Sequence, residues 1–299
     1  MMHSLQYDEF ACLRENAREI GLPWDEMPSV QRAAIRLDDG RQVSAILWGN
    51  ERADIVLLHG GGQNAHTWDN VAMALRLSAV AIDMPGHGRS DASAEGPLNI
   101  FRNCHDIADV VRQLARPPVN LVGMSLGGLT ALALADAYPE LVRTVLLVDV
   151  TPDVDKNSPI ARFINGPETF ATFEDLVKHT AASVSARSET ALRRGILHNA
   201  VQLEDGSWRW RRERRGADEL QRVDFHTLWD AVSSICAPIA LAYGELPSSV
   251  VTPASLAEFM RRRPTTRIVP FPDAGHSIQG RSPVELARLI ADFRLSPEN

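Results

Sequence analysis

Seven short β-rich runs recur along the chain: 42–48 (QVSAILW), 54–59 (DIVLLH), 79–83 (AVAID), 119–123 (VNLVG), 144–149 (TVLLVD), 238–243 (PIALAY) and 267–271 (RIVPF). Several are apolar throughout, with no polar alternation. A strand reads that way when both its faces are buried, as in a parallel sheet covered by helices. Helical patterns lie between the runs. Trp68, Val71, Ala72 and Leu75 fall at i, i+3, i+4 and i+7, as do Ile107, Val110, Val111 and Leu114, and Leu286, Leu289, Ile290 and Phe293. Each set lays one apolar stripe along a helix. Strands alternating with such helices predict an α/β chain with a mostly parallel, doubly wound sheet. Right-handed crossovers then gather loops at the strand C-termini, where ligands bind in such folds.

The alternation breaks between about 152 and 223. Two helical patterns there (TFEDLVKHTAASVS and SETALRRGILHNA) precede a polar, aromatic stretch, DGSWRWRRERR. We expect residues 1–30 to form a helical extension with a linker punctuated by Pro23 and Pro28. Residues 31–151 and 224–299 form the core, and 152–223 a mostly helical cap. In the cap, Trp208 and Trp210 interleave with Arg209, Arg211, Arg212, Arg214 and Arg215. That pattern reads as a charged strand or turn pair on the surface. Arg261 to Arg263 read as a helix C-terminus.

A net charge of -7 argues against a nucleic-acid partner. No apolar stretch is long enough to span a bilayer, since even 119–150 carries Asp136, Glu140, Arg143 and Asp149. The opening residues, MMHSLQYDEFACLRENAREIG, lack the basic-then-apolar pattern of a secretory signal. Cys12, Cys104 and Cys236 are odd in number and without metal spacing, so we expect reduced thiols in a cytoplasmic protein. Nothing in the sequence fixes an oligomeric state.

Four stretches at strand ends carry candidate chemistry. Gly123-Met124-Ser125-Leu126-Gly127 follows one apolar run and opens a helix. A serine on so tight a turn presents its hydroxyl, and glycines at 123 and 127 let the chain pass close by. The helix beginning there aims free N–H groups at the site. His59-Gly60-Gly61-Gly62 follows the 54–59 run. The Gly61 and Leu126 amides form the expected oxyanion pair, with Gly62, Trp68 and Met124 as candidate pocket residues. Asp83-Met84-Pro85-Gly86-His87-Gly88-Arg89-Ser90 reads as a structural turn. Asp273-Ala274-Gly275-His276-Ser277 follows the last run. Of nine histidines, His276 alone lies in a small-residue loop after the final strand and downstream of the serine. A neutral imidazole is the usual base for a serine hydroxyl. His59 and His87 read as structural, and His179, His198 and His226 as solvated or packed.

Taken together, in this order, the four stretches resemble the α/β-hydrolase family over residues 40 to 295. The resemblance implies an eight-stranded sheet with a helical cap after strand six, Ser125 as nucleophile and His276 as base. The chain departs from the family's commonest pattern, which places an acid after strand seven as G-x-x-D. Here that loop reads Gly244-Glu245-Leu246-Pro247, with proline in the aspartate's place. Asp149 ends the 144–149 run, beside the nucleophile strand, where an unpaired carboxylate would be costly. Some members of the family carry their acid after strand six. Asp149 is therefore the preferred acid, Glu245 the alternative, and a chain without an acid the third reading.

The expectation is a serine hydrolase acting on a small-molecule carboxylic ester or lactone, without cofactor or metal. The competing readings are a carbon–carbon bond hydrolase of vinylogous diketones and a catalytically weak ligand-binding homologue.

Overall fold

The computed structural model describes residues 7–182, 188–213 and 222–295. The strands are β1 (Val30–Arg36), β2 (Gln42–Trp48), β3 (Ala53–Leu58), β4 (Ala79–Ile82), β5 (Ala115–Met124), β6 (Val142–Val148), β7 (Thr169–Phe170), β8 (Ala200–Gln202), β9 (Trp208–Trp210), β10 (Ile239–Gly244) and β11 (Arg267–Phe271). The α-helices are α1 (Leu13–Glu19), α2 (Asp69–Leu75), α3 (Ile100–Leu114), α4 (Leu126–Ala137), α5 (Pro159–Ile164), α6 (Phe173–Ala181), α7 (Glu189–Asn199), α8 (Leu228–Ser234), α9 (Pro253–Arg262), α10 (Ile278–Arg281) and α11 (Pro283–Leu295).

The main sheet has eight strands in the order β1-β2-β4-β3-β5-β6-β10-β11, parallel from β4 onward. The apolar runs are continuous because each strand feeds two cores. Val56 and Leu58 of β3, with Val145 and Leu147 of β6, face one layer that includes residues of α3, α4 and α8. Ile55 and Leu57, with Leu146 and Val148, face the other, which includes residues of α1, α2 and α11. Each buried aliphatic side chain of this kind stabilises the fold by about 1.5–3 kcal/mol. Strand β1 gives little apolar signal in the sequence. It is an edge strand, antiparallel to β2 and largely half-buried or exposed. The C-terminal Arg263 of the arginine run donates to the carbonyls of Val232, Ile235 and Ala237, so it also closes the end of neighbouring α8.

Between β6 and α8 the chain leaves the sheet. This segment was expected to be mostly helical. It holds α5, α6 and α7, but also an antiparallel sheet ordered β7-β9-β8. The cause lies in Trp208-Arg209-Trp210. Alternation puts both tryptophans on one face of β9. There Trp210 joins Leu176, Val177, Leu192 and Ile196 in a separate small core, with Trp208 packed at its margin, while Arg209 is exposed. The stretch is thus a strand with a buried aromatic face. Arg214 and Arg215 lie outside the described residues.

Candidate active site

Strands β5 and β6 run side by side with Met124 opposite Val148, so Ser125 and Asp149 are the next residue on each. Both leave their strands with left-handed backbone, at φ 52° and 49°. A non-glycine residue held there costs about 1–3 kcal/mol, so the surrounding structure must enforce it. At Ser125 the enforcement is visible. A Cβ on Gly123 would lie 2.4 Å from the Gly127 carbonyl oxygen, and one on Gly127 would lie 2.2 Å from that of Leu58. The turn therefore closes only with glycine at both positions. Ser125 precedes α4 and its side chain makes no capping bond. The Leu126 amide begins the helix, where no intrahelical acceptor exists for it.

Asp149 is fully buried. Its Oδ1 accepts from the Gly244 amide at 2.9 Å and the Ser249 hydroxyl at 2.6 Å. Its Oδ2 accepts from the Val250 amide at 3.0 Å and pairs with His276 Nδ1 at 2.9 Å. The partner that burial demands is His276. Glu245 lies on the same loop but is exposed, and its amide donates to the Phe271 carbonyl.

On the other side of Ser125 runs the glycine loop after β3. A Cβ on Gly60 would meet Met124 Sδ at 2.5 Å and Ser125 Cβ at 3.2 Å, so this loop lies directly against the serine. The Gly60 amide donates to Gln63 Oε1. A Cβ on Gly61 would sit 3.2 Å from Ile164 Cδ1 of α5, and one on Gly62 would sit 3.2 Å from an Arg212 guanidinium nitrogen. His59 is fully buried. Its Nδ1 donates to the Gly60 carbonyl and its Nε2 accepts the Met84 amide. Burial lowers its pKa to about 4, and that of the neighbouring His87 to about 3, so both are neutral supports. Asp83 accepts from the Ala65 and Arg89 amides and from Arg32, while Gly88 passes so close that a Cβ would clash with its carboxylate.

A model of the alpha/beta hydrolase family matches residues 55–289. The chain belongs to that family. It is 39% identical to Esterase Rv0045c of Mycobacterium tuberculosis, over 96% of this chain and 97% of the relative. A solved structure of that esterase superposes with a TM-score of 0.84 at 36% identity, covering 97% of this chain and all of the other. A 2-(acetamidomethylene)succinate hydrolase of Mesorhizobium japonicum is 28% identical over 86% of this chain and 94% of the relative.

Within this alpha/beta hydrolase the structure brings Asp149 to His276, and Gly60, Met124 and Leu126 to Ser125 and its loop. It does not bring Trp68, which is fully buried in the core layer that also holds Val71, Ala72 and Leu286. Trp68 is therefore a core residue and not a pocket wall. Its i, i+3, i+4 spacing with Val71 and Ala72 already carried that message. Sequence reasoning missed Ser249, Gln63 and Ile164. Ser249 and Gln63 are common polar types with no spacing rule, and Ile164 arrives from a distant segment.

A second polar cluster joins the N-terminal segment, the core and α7. Glu9 and Asp69 both pair with His66, at 3.1 and 2.9 Å. Burial opposes the charge on His66, but the Asp69 carboxylate and the bonds to Asp69 and Glu9 outweigh it and raise its pKa to about 9. Burial likewise works against Glu9, whose bonds to His66 and Arg32 lower its pKa to about 2. Arg32 bridges Glu9 and Asp83. The His198 ring stacks on His66 at 3.9 Å and 19°, and is bonded by Tyr7. Asn64, at the end of the glycine loop, donates to the His198 carbonyl and to Asn199. Ligand atoms of His66, Asp69 and His198 lie within 4.8 Å of one another. Near-parallel stacked rings, however, do not aim two in-plane lone pairs at one ion, and carboxylates already engage both His66 nitrogens. The geometry is that of an ion-paired knot.

Proposed function

We propose that this protein is a serine hydrolase cleaving a small to medium carboxylic ester or lactone through an acyl-enzyme. The carrying observation is the 2.9 Å bond between His276 Nδ1 and buried Asp149, made at the end of the strand beside the one presenting Ser125. A carboxylate only accepts, so the imidazole proton sits on Nδ1 and Nε2 keeps its lone pair for the serine hydroxyl. Ser125 Oγ attacks the carbonyl carbon as His276 takes its proton. The Gly61 and Leu126 amides hold the oxyanion. His276 then protonates the departing alkoxide. Water attacks the acyl-enzyme by the same route, releasing the acid and restoring Ser125. In this reading residues 152–223 are the cap, with Ile164 over Gly61 as the supporting contact, and residues 1–30 an N-terminal extension, of which Leu13 and Ala17 are buried in the core. The relative named an esterase supports ester cleavage over carbon–carbon cleavage.

The test is Ser125→Ala assayed on p-nitrophenyl esters, lactones and a vinylogous diketone. We expect a loss on the order of 10^3-fold or more with the fold intact, and loss of labelling by a fluorophosphonate. Near-normal ester turnover by the variant contradicts the reading. Wild-type protein that cleaves the diketone and not the esters replaces it with the carbon–carbon alternative.

A further inference from the structure

The segment from Gly244 to Val251 touches both partners of the Asp149–His276 pair. We infer that it is a positioning device for that pair, and that Ser249 is its chief positioning residue. The inference rests on the catalytic reading above.

Three of the four donors on Asp149 come from this segment: the Gly244 amide, the Ser249 hydroxyl and the Val250 amide. The fourth is His276 itself. With both oxygens doubly engaged, the carboxylate cannot rotate without breaking several bonds at once. The same segment grips the histidine's own loop. The Leu246 amide donates to the Ala274 carbonyl at 3.0 Å and the Glu245 amide to the Phe271 carbonyl at 3.1 Å. A Cβ on Gly275 would lie 1.9 Å from Ser248 Oγ, and one on Gly244 would lie 2.5 Å from the Ala274 and Gly275 carbonyl oxygens. Acid and base are thus set against one common surface.

Among the three donors only Ser249 uses a side chain. Its oxygen accepts the Val251 amide at 3.2 Å, which orients the hydroxyl proton toward Asp149. A donor on Oδ1 draws charge away from Oδ2, the oxygen that faces His276. Removing it concentrates charge on Oδ2, favours the imidazolium and loosens the carboxylate. Ser249 acts through Asp149, so substrate binding is untouched and the pH dependence moves.

The experiment measures kcat and KM for a p-nitrophenyl ester across about pH 5–9 with full-length wild type, Ser249→Ala and Ser249→Thr. We expect Ser249→Ala to lower kcat by about 10-fold, the scale of a lost charge-assisted bond. KM should stay within about two-fold, and the acidic limb of kcat/KM should move up by about half a pH unit. Threonine keeps the hydroxyl and should restore both. If the alanine variant fails to fold, Ser249→Cys, with a weak donor of similar size, gives the same readout. Wild-type kcat and limb in the alanine or cysteine variant overturns the inference. So does a loss equal at every pH that threonine does not restore. Ser125→Ala and Asp149→Asn are the controls. If they stay active the catalytic reading has failed, whereas if they are dead and Ser249→Ala behaves as wild type, only this inference falls.

Discussion

The corner around Asp149 and the knot around His66 are both buried and polar, yet they are built on opposite terms. Asp149 is one carboxylate met by four donors, two of them backbone amides fixed by the sheet and the loop after it. The knot is made of side chains from four distant segments: Glu9, Arg32, His66 with Asp69, and His198. It neutralises charge against charge. Backbone donors hold a group still without competing for its proton, which suits an acid that must orient a base. Mutual ion pairs keep His66 charged and Glu9 ionised against burial, which suits fastening. On the proposed mechanism the corner acts by position, whereas the knot attaches, tying the N-terminal segment and α7 to the loop beside Ser125.

The contrast can be broken at either end. Of these two ends, the larger effect is expected at Gly275. Gly275→Ala drives a Cβ against Ser248 Oγ, now 1.9 Å from that point, and displaces the residue before His276. Misplacing a catalytic group by about 1 Å costs about 10^2-fold, so kcat/KM should fall by at least that much. Unchanged kinetics would mean that the loop does not set the histidine.

A smaller effect is expected at the knot. His66→Gln should leave kcat/KM within about three-fold and lower Tm by about 3 °C near pH 6. The folded-state pKa of His66, about 9, lies above its ordinary 6.5. Its stabilisation is therefore complete below about pH 6.5 and is lost as pH rises through 9. The gap in Tm between wild type and variant should close by about pH 9.5. A constant gap would show that packing alone was lost. A kinetic loss matching Gly275→Ala would make the knot part of the chemistry and erase the contrast.

Much of the corner was legible because it depends on strand order. The apolar runs place β6 beside β5, and a lone aspartate ending VLLV demands a partner. Which of Asp149 and Glu245 lies against His276 turned on loop geometry. Glu245 is two residues from the expected acid position, yet its side chain faces solvent and its loop supplies donors instead. The knot was not legible, since neither periodicity nor motif links Glu9 to His66 or to His198. Strand β1 was hidden by its polar edge, and β9 by arginines that mask two inward tryptophans.

The central claim is that the carboxylate that orients His276 is Asp149 and not Glu245. The most direct test compares kcat/KM of Asp149→Asn and Glu245→Gln on one ester. An asparagine there should favour the wrong imidazole tautomer and cost about 10^4-fold, while Glu245→Gln should stay within about two-fold of wild type. A dead Glu245→Gln beside an active Asp149→Asn would contradict the account.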